Sequence, residues 1–90
     1  MLSTNSGDET KYHYVYVLNC AKGELYTGYT VDPKKRIKLH NLGIASKFTR
    51  SRLPVSMIHL EKFRTKSRAL KREIQIKKMK RRDKQRLCGL

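Results

Sequence analysis

The run Tyr14-Val15-Tyr16-Val17-Leu18 puts apolar or aromatic side chains at successive positions rather than alternate ones. Neighbouring side chains of a strand point to opposite faces, so this segment is apolar on both. Such a strand must be covered on both sides and therefore belongs in the middle of a sheet. Extended over Lys11 to Cys20, the segment is rich in Tyr, Val and Leu, as strands are. The constraint is severe because the chain is short. Ninety residues make one domain, which buries only roughly 60–65% of its unfolded surface, so its core is thin.

The remaining elements follow from local signals. Ala21-Lys22-Gly23-Glu24 reads as a turn with glycine at the flexible position, and Leu25 to Thr30 resumes strand composition, which makes a hairpin. Asp32-Pro33 starts a helix, Asp capping the free amides and Pro occupying the first turn, and Gly43 stops it, giving Pro33 to Leu42. Gly43 to Leu53 reads as a basic loop ended by Pro54. Val55 to Phe63 is a third strand, Thr65 or Ser67 to about Lys80 a helix, and Arg81 to Cys88 a short closing helix. This order predicts an α/β domain: a small three-stranded, mostly antiparallel sheet flanked by helices, over residues 12–90. Residues 1–11, polar and slightly acidic, are expected to be a disordered lead-in and lack the basic-then-apolar order of a signal peptide.

Charge narrows the function. Twenty-two Lys and Arg stand against seven Asp and Glu, a formal charge of +15. So much of one sign repels itself in the folded chain, and a polyanionic partner explains it better than solubility does. Nucleic acid comes ahead of a membrane or an acidic protein. From Lys62 to Arg86 there are thirteen Lys or Arg against Glu73 and Asp83 alone. No stretch approaches the eighteen or so apolar residues of a membrane-spanning helix. Cys20 and Cys88 form no ligand pair and read as free thiols of a reducing cytoplasm.

Within this cationic chain a few residues are out of place. Arg36 and His40, four apart on the first helix, fall in the arc of Ile37 and Leu39 that should face the protein. There they must line a pocket or meet partners. Solvent-seeking by Arg36 and a carbonyl partner for His40 would be the plain alternative. Glu73 lies among Ala69, Leu70 and Ile76 in the inward stripe of a cationic helix. Either it pairs with a neighbour such as Lys77 at i+4, or it holds a hard divalent cation, for which one carboxylate suffices if water and phosphate complete the octahedron. Tyr16 and Tyr26 share a sheet face if Tyr26 lies opposite Cys20, and part company if the pairing slips by one.

Taken together, Tyr14-Val15-Tyr16, the ten-residue step to Tyr26-Thr27-Gly28, and Arg36, His40 and Glu73 resemble the GIY-YIG endonuclease domain. The likeness runs from Tyr12 to Leu87 and is greatest to the stand-alone, single-domain bacterial branch. Leu25 to Thr30, Arg36 with His40-Asn41, Lys47 with Thr49-Arg50, Pro54, and Glu73 with Lys77 have counterparts there. The resemblance implies a metal-dependent endonuclease acting on DNA, structure-selective and suited to repair, with Mg²⁺ or Mn²⁺ on Glu73. It implies paired active-site tyrosines, Tyr16 and Tyr26, one of which, Tyr16 ahead of Tyr26, activates water with a lowered pKa while the other positions, with Arg36 on the scissile phosphate and His40 as base or hydrogen-bond partner. Lys35, Lys47, Thr49, Arg50, Arg52, Lys77 and Lys84 are the expected nucleic-acid contacts. Two departures stand out: Tyr14 replaces the first glycine of the motif, and no asparagine follows Asn41, which leaves a late polar role vacant or to a residue such as Lys84. A non-catalytic DNA- or RNA-binding module is the alternative reading, and a protein partner that supplies targeting is compatible with either.

Overall fold

The structure is a computed structural model and describes residues 11–90; the expected lead-in falls, apart from Lys11, outside the described residues. Strand β1 (His13–Asn19) is followed by β2 (Leu25–Thr30), α1 (Pro33–Asn41), a one-turn helix α2 (Lys47–Arg50), β3 (Ser56–Phe63), α3 (Lys66–Lys78) and α4 (Arg81–Leu87). The sheet has the order β2-β1-β3 and is antiparallel throughout. The doubly apolar segment is thus the central strand, with Val15, Tyr16, Val17 and Leu18 all buried.

The two faces carry separate halves of the core. Val15 and Val17 pack with Ala69 and Ile76 of α3, and Phe63, Met79 and Leu87 close around them. Tyr16, Leu18 and Cys20 pack with Val55 on the other face, bordered by Tyr26, Ile37, Leu53 and Met57. Cys20 and Cys88 belong to opposite halves and are both free. Among the described residues no helix is long and apolar enough to cross a membrane.

Local chemistry places most boundaries where the sequence puts them. Asp32 accepts from the Lys35 amide with Pro33 following, and Gly43, at φ 79°, donates its amide to the His40 carbonyl just past the end of α1. Thr65 caps α3 by accepting from the Arg68 amide. The segment 43–53 differs: it is not a plain loop, because Ser46 accepts from the Thr49 amide and starts α2. A single capped turn has no apolar periodicity, so only the Ser46-to-Thr49 spacing announces it. The Asn41 side chain then clamps the start of β3, donating to the Val55 carbonyl at 3.0 Å and accepting from its amide at 2.8 Å.

The hairpin register corrects one expectation. Tyr26 lies opposite Leu18, not Cys20, and Tyr16 opposite Gly28. The turn is tighter than Ala21–Glu24: the Cys20 amide already bonds the Glu24 carbonyl at 2.8 Å, and Gly23, at φ 92°, bonds back to the Cys20 carbonyl at 2.9 Å. A three-residue loop with glycine in the left-handed region sets the strands two residues closer than expected. The displacement is even, so the side-chain faces are preserved and both tyrosines remain on one face.

Gly28 is the other glycine that the fold uses. A Cβ there would come within 2.9 Å of Cε2 of Tyr16 and closer still to its Cζ and hydroxyl. The bare backbone lets the phenol lie across β2. We expect Gly28→Ala to lower stability by about 1–3 kcal/mol, as overpacking does. Chemical denaturation measures this; an unchanged midpoint would mean that the Tyr16 ring has another place to go.

Candidate active site

A chain of polar side chains runs through the buried α1-side half of the core. The Tyr16 hydroxyl lies 2.8 Å from Nε2 of His40, and Nδ1 of His40 lies 2.8 Å from Oγ1 of Thr49. All three residues are at most 1% exposed. Oγ1 of Thr49 donates to the Ser46 carbonyl at 3.4 Å. Its lone pairs are then left to accept from Nδ1–H, and Nε2 faces the tyrosine as acceptor of its O–H. Three elements meet here: β1 supplies the phenol, α1 the imidazole and α2 the threonine. Ser46, by capping α2, holds that threonine in place.

Tyr26 completes an aromatic cluster. Its ring lies 6.4 Å from that of Tyr16, and 5.2 Å from His40 in an edge-on arrangement. Phe48 stacks on its other neighbourhood at 5.8 Å and 28°, and Arg52 sets its guanidinium 3.9 Å from the Phe48 centroid. The series His40, Tyr26, Phe48, Arg52 therefore steps from the core to the surface, where Phe48 is 38% exposed.

Electrostatics sets the protonation states. Burial pushes the Tyr16 hydroxyl well above the usual phenol range; Tyr26 and, less strongly, Glu73 act in the same direction, and the Arg36 guanidinium opposes them. The lowered pKa implied for Tyr16 is therefore not what this site provides: a desolvated phenol resists becoming an anion. His40 is held below its ordinary value by burial and then by Arg36. It is neutral around pH 7, with one ring nitrogen free to accept a proton.

Of the expected residues, Tyr16, Tyr26 and His40 are in mutual contact, with Arg36 acting on both Tyr16 and His40. Glu73, its side chain 16% exposed, reaches the group only through its field on Tyr16. Its carboxylate is paired with Nζ of Lys77 at 3.2 Å, the plain i+4 alternative. Lys35, Lys47, Arg50 and Lys77 are exposed and Lys84 half-exposed. Thr49, expected among the nucleic-acid contacts, is fully buried on His40 instead. Arg52 is committed to Phe48, bonding its carbonyl at 2.8 Å, and to Glu24 at 3.3 Å. Sequence reasoning missed Gly28 and Ser46 as supports and Phe48 as the ring on Tyr26. For Ser46 and Thr49 the signal was the cap spacing; for Phe48 it was an aromatic alone among cations.

The order of sheet and helices, with a tyrosine–histidine centre beside a helix-borne arginine, defines a small nuclease-type α/β domain. The chain belongs to the GIY-YIG catalytic domain family, which its residues 12–86 match. That family is a nuclease superfamily, so endonuclease chemistry and nucleic-acid binding are its general properties. A UPF0213 protein of Haloquadratum walsbyi is 50% identical over 77 residues, spanning 86% of each chain. One of Bacillus licheniformis is 49% identical over 78 residues, 87% of this chain and 80% of that one. The solution structure of a UPF0213 protein from Bacillus halodurans superposes with a TM-score of 0.58 at 41% identity, covering 87% of this chain and 83% of that one. A solution structure from E. faecalis gives the same TM-score at 46% identity, covering 86% and 83%. The relatives are thus single domains of this size.

Two measurements address the buried chain. Thr49→Val keeps the shape but leaves Nδ1–H of His40 without an acceptor in a dry site. A loss of about 1–3 kcal/mol in denaturation is expected, with Thr49→Ser restoring most of it. The depressed His40 pKa gives a signed pH effect. The unfolded chain takes up the proton first as pH falls, so stability is level above about pH 6.5, declines below it, and levels again beneath the folded-state pKa. Thermal midpoints followed from neutral to mildly acidic pH should show that decline in the wild type and a smaller one in His40→Gln, which cannot titrate.

Proposed function

We propose that the protein is a divalent-metal-dependent endonuclease that hydrolyses DNA phosphodiester bonds, preferring branched, nicked or single-stranded DNA to plain duplex, in the cytoplasm and in the service of DNA repair. The observation that carries this reading is the buried Tyr16–His40 pair beside Arg36. A phenol donating to a neutral, proton-accepting imidazole is a proton path, and a guanidinium offers a planar fork of donors to a phosphate. A module that only bound nucleic acid would gain little from burying such a path in a thin core.

The raised Tyr16 pKa fits a relay better than a resting phenolate. An attacking water would give its proton to the Tyr16 oxygen while the Tyr16 proton passes to Nε2 of His40. The new P–O bond forms as the bond to the leaving oxygen breaks, with Arg36 holding the phosphate oxygens. His40, disfavoured as a cation by burial and by Arg36, would return that proton through Tyr16 to solvent while the departing oxygen takes one up from water, so that one water is consumed per bond cleaved. Tyr26 would position the phenol and imidazole rather than exchange protons.

Glu73 fits a metal of one kind only. Among the described residues no three His, Cys, Asp or Glu cluster as a cage, so a closed multi-ligand site is not built. One half-buried carboxylate, held by a single lysine, suits a hard cation that keeps most of its waters, Mg²⁺ or Mn²⁺. Bound there, it would neutralise charge developing on the phosphate and leaving oxygen. The Lys77 pairing and the missing late asparagine favour the second reading, a fold retained for binding alone.

Labelled duplex, flap and single-stranded DNA incubated with Mg²⁺ or Mn²⁺ separates the two. Metal-dependent cleavage should fall at least 100-fold in Arg36→Ala and in Glu73→Ala, on the scale of removing a charged group that acts in the transition state. Activity that survives either change rejects the site, and tight binding with no cleavage on any substrate leaves the binding module.

A further inference from the structure

Beside the tyrosine–histidine centre, and on its surface side, lies a second built depression. It is lined by Glu24 and Leu25 of the hairpin, Phe48 of α2, and Arg81 and Lys84 of α4, with a volume of about 290 Å³. That is near the lower limit of small-ligand sites. Its walls are fixed to one another. Arg81 donates to the Gly23 carbonyl at 3.2 Å, Arg52 joins Glu24 at 3.3 Å, and the same Arg52 lies over the Phe48 ring.

The lining is chemically mixed in a particular way. Phe48, held by Arg52 over its ring and by Tyr26 stacked with it, turns its exposed part into the recess with Leu25 beside it, an aromatic and apolar seat. Bases stack on both phenyl rings and arginine planes. Arg81 and Lys84 supply positive charge at the rim. Glu24 is the discordant member, since a carboxylate repels phosphate, yet it accepts readily from the amino edge of a base. A phosphate alone would not choose a wall containing Glu24, and an apolar peptide would not need two cations. A nucleotide matches all three features: base on Phe48 and Leu25, amino edge toward Glu24, phosphate toward Arg81 or Lys84.

We propose that this depression is a subsite for one unpaired nucleotide of the DNA strand engaged at the tyrosine–histidine centre, with Phe48 as its aromatic wall. Phe48 packs against Tyr26, so the seated base lies one ring away from the Tyr16–His40 pair, and a paired base cannot enter a recess of this size. The subsite is thereby a physical source of preference for single-stranded and branched DNA. It rests on the endonuclease reading for the identity of the strand, but it makes its own binding claim.

The test is a binding scan without metal, in a chelating buffer, so that cleavage plays no part. The probe is a flap DNA whose junction fixes the register, with one abasic residue moved stepwise along the unpaired arm. Wild-type protein should lose roughly tenfold in affinity at one position and far less at its neighbours. In Phe48→Ala the intact flap should bind with a similar loss, and the abasic residue at that position should cost nothing more; Phe48→Tyr should restore the wild-type pattern. A flat scan with wild-type protein overturns the proposal, whatever the variants do, and so does a position-specific loss that persists undiminished in Phe48→Ala. Cleavage with Mg²⁺ is scored separately. A peaked scan with no cleavage keeps the subsite and rejects the endonuclease; a flat scan with cleavage does the reverse.

Discussion

The hydrogen-bond chain from Tyr16 through His40 to Thr49 is the interaction around which the rest of this small domain is arranged. Three polar side chains stand in the core of a chain with little core to spare. An unpaired polar group there would cost more than a single good contact returns, so each must be matched by the next. Matching them fixes β1, α1 and α2 relative to one another. It also explains supports that look incidental: Gly28, which leaves room for the phenol; Ser46, which starts the turn that carries Thr49; and Asn41, which clamps α1 to the start of β3.

The few acids of the chain show how its excess positive charge is managed. Glu61 takes a bidentate bond from Arg72, at 2.8 and 3.1 Å, and a third contact from His59. Despite the cost of burial, these bonds hold its carboxyl below the usual range. Asp32 caps α1, and Glu24 is joined to Arg52. Glu73 is different. Its partner is a lysine more than half exposed, at i+4, and pairs of that kind contribute only a few tenths of a kcal/mol. Of the half-buried carboxylates it is the one least committed to the fold, and so the one that a cation or substrate could recruit at small cost.

Much of this architecture was legible in the chain because its signals are local. A doubly apolar segment had to be central; Asp32-Pro33 and Gly43 bound a helix; the four-residue step from Arg36 to His40 brought both toward the interior. The register was harder to read, because two loop residues more or fewer are invisible to composition, yet parity alone carried the functional consequence for Tyr16 and Tyr26. Thr49 was misplaced for a different reason. In a basic segment a hydroxyl looks like a phosphate contact, and only the third dimension brings it to a histidine nine residues earlier. The direction of the Tyr16 pKa likewise depends on burial, which opposes the nearby Arg36 and outweighs it.

In the proposed mechanism, burial and reactivity have to be reconciled at Tyr16. A phenol packed between His40 and Gly28 is well oriented but reluctant to ionise. Binding energy gained away from the reacting atoms is the usual means of meeting such a cost. The packed series Phe48, Tyr26, His40 offers a short route for it, since each ring touches the next. On the proposed reading, a base seated against Phe48 would press on Tyr26, and a phosphate would engage the Arg36 guanidinium that acts on Tyr16. On this view the substrate completes the site from both ends, and the domain needs little mass of its own to hold the geometry.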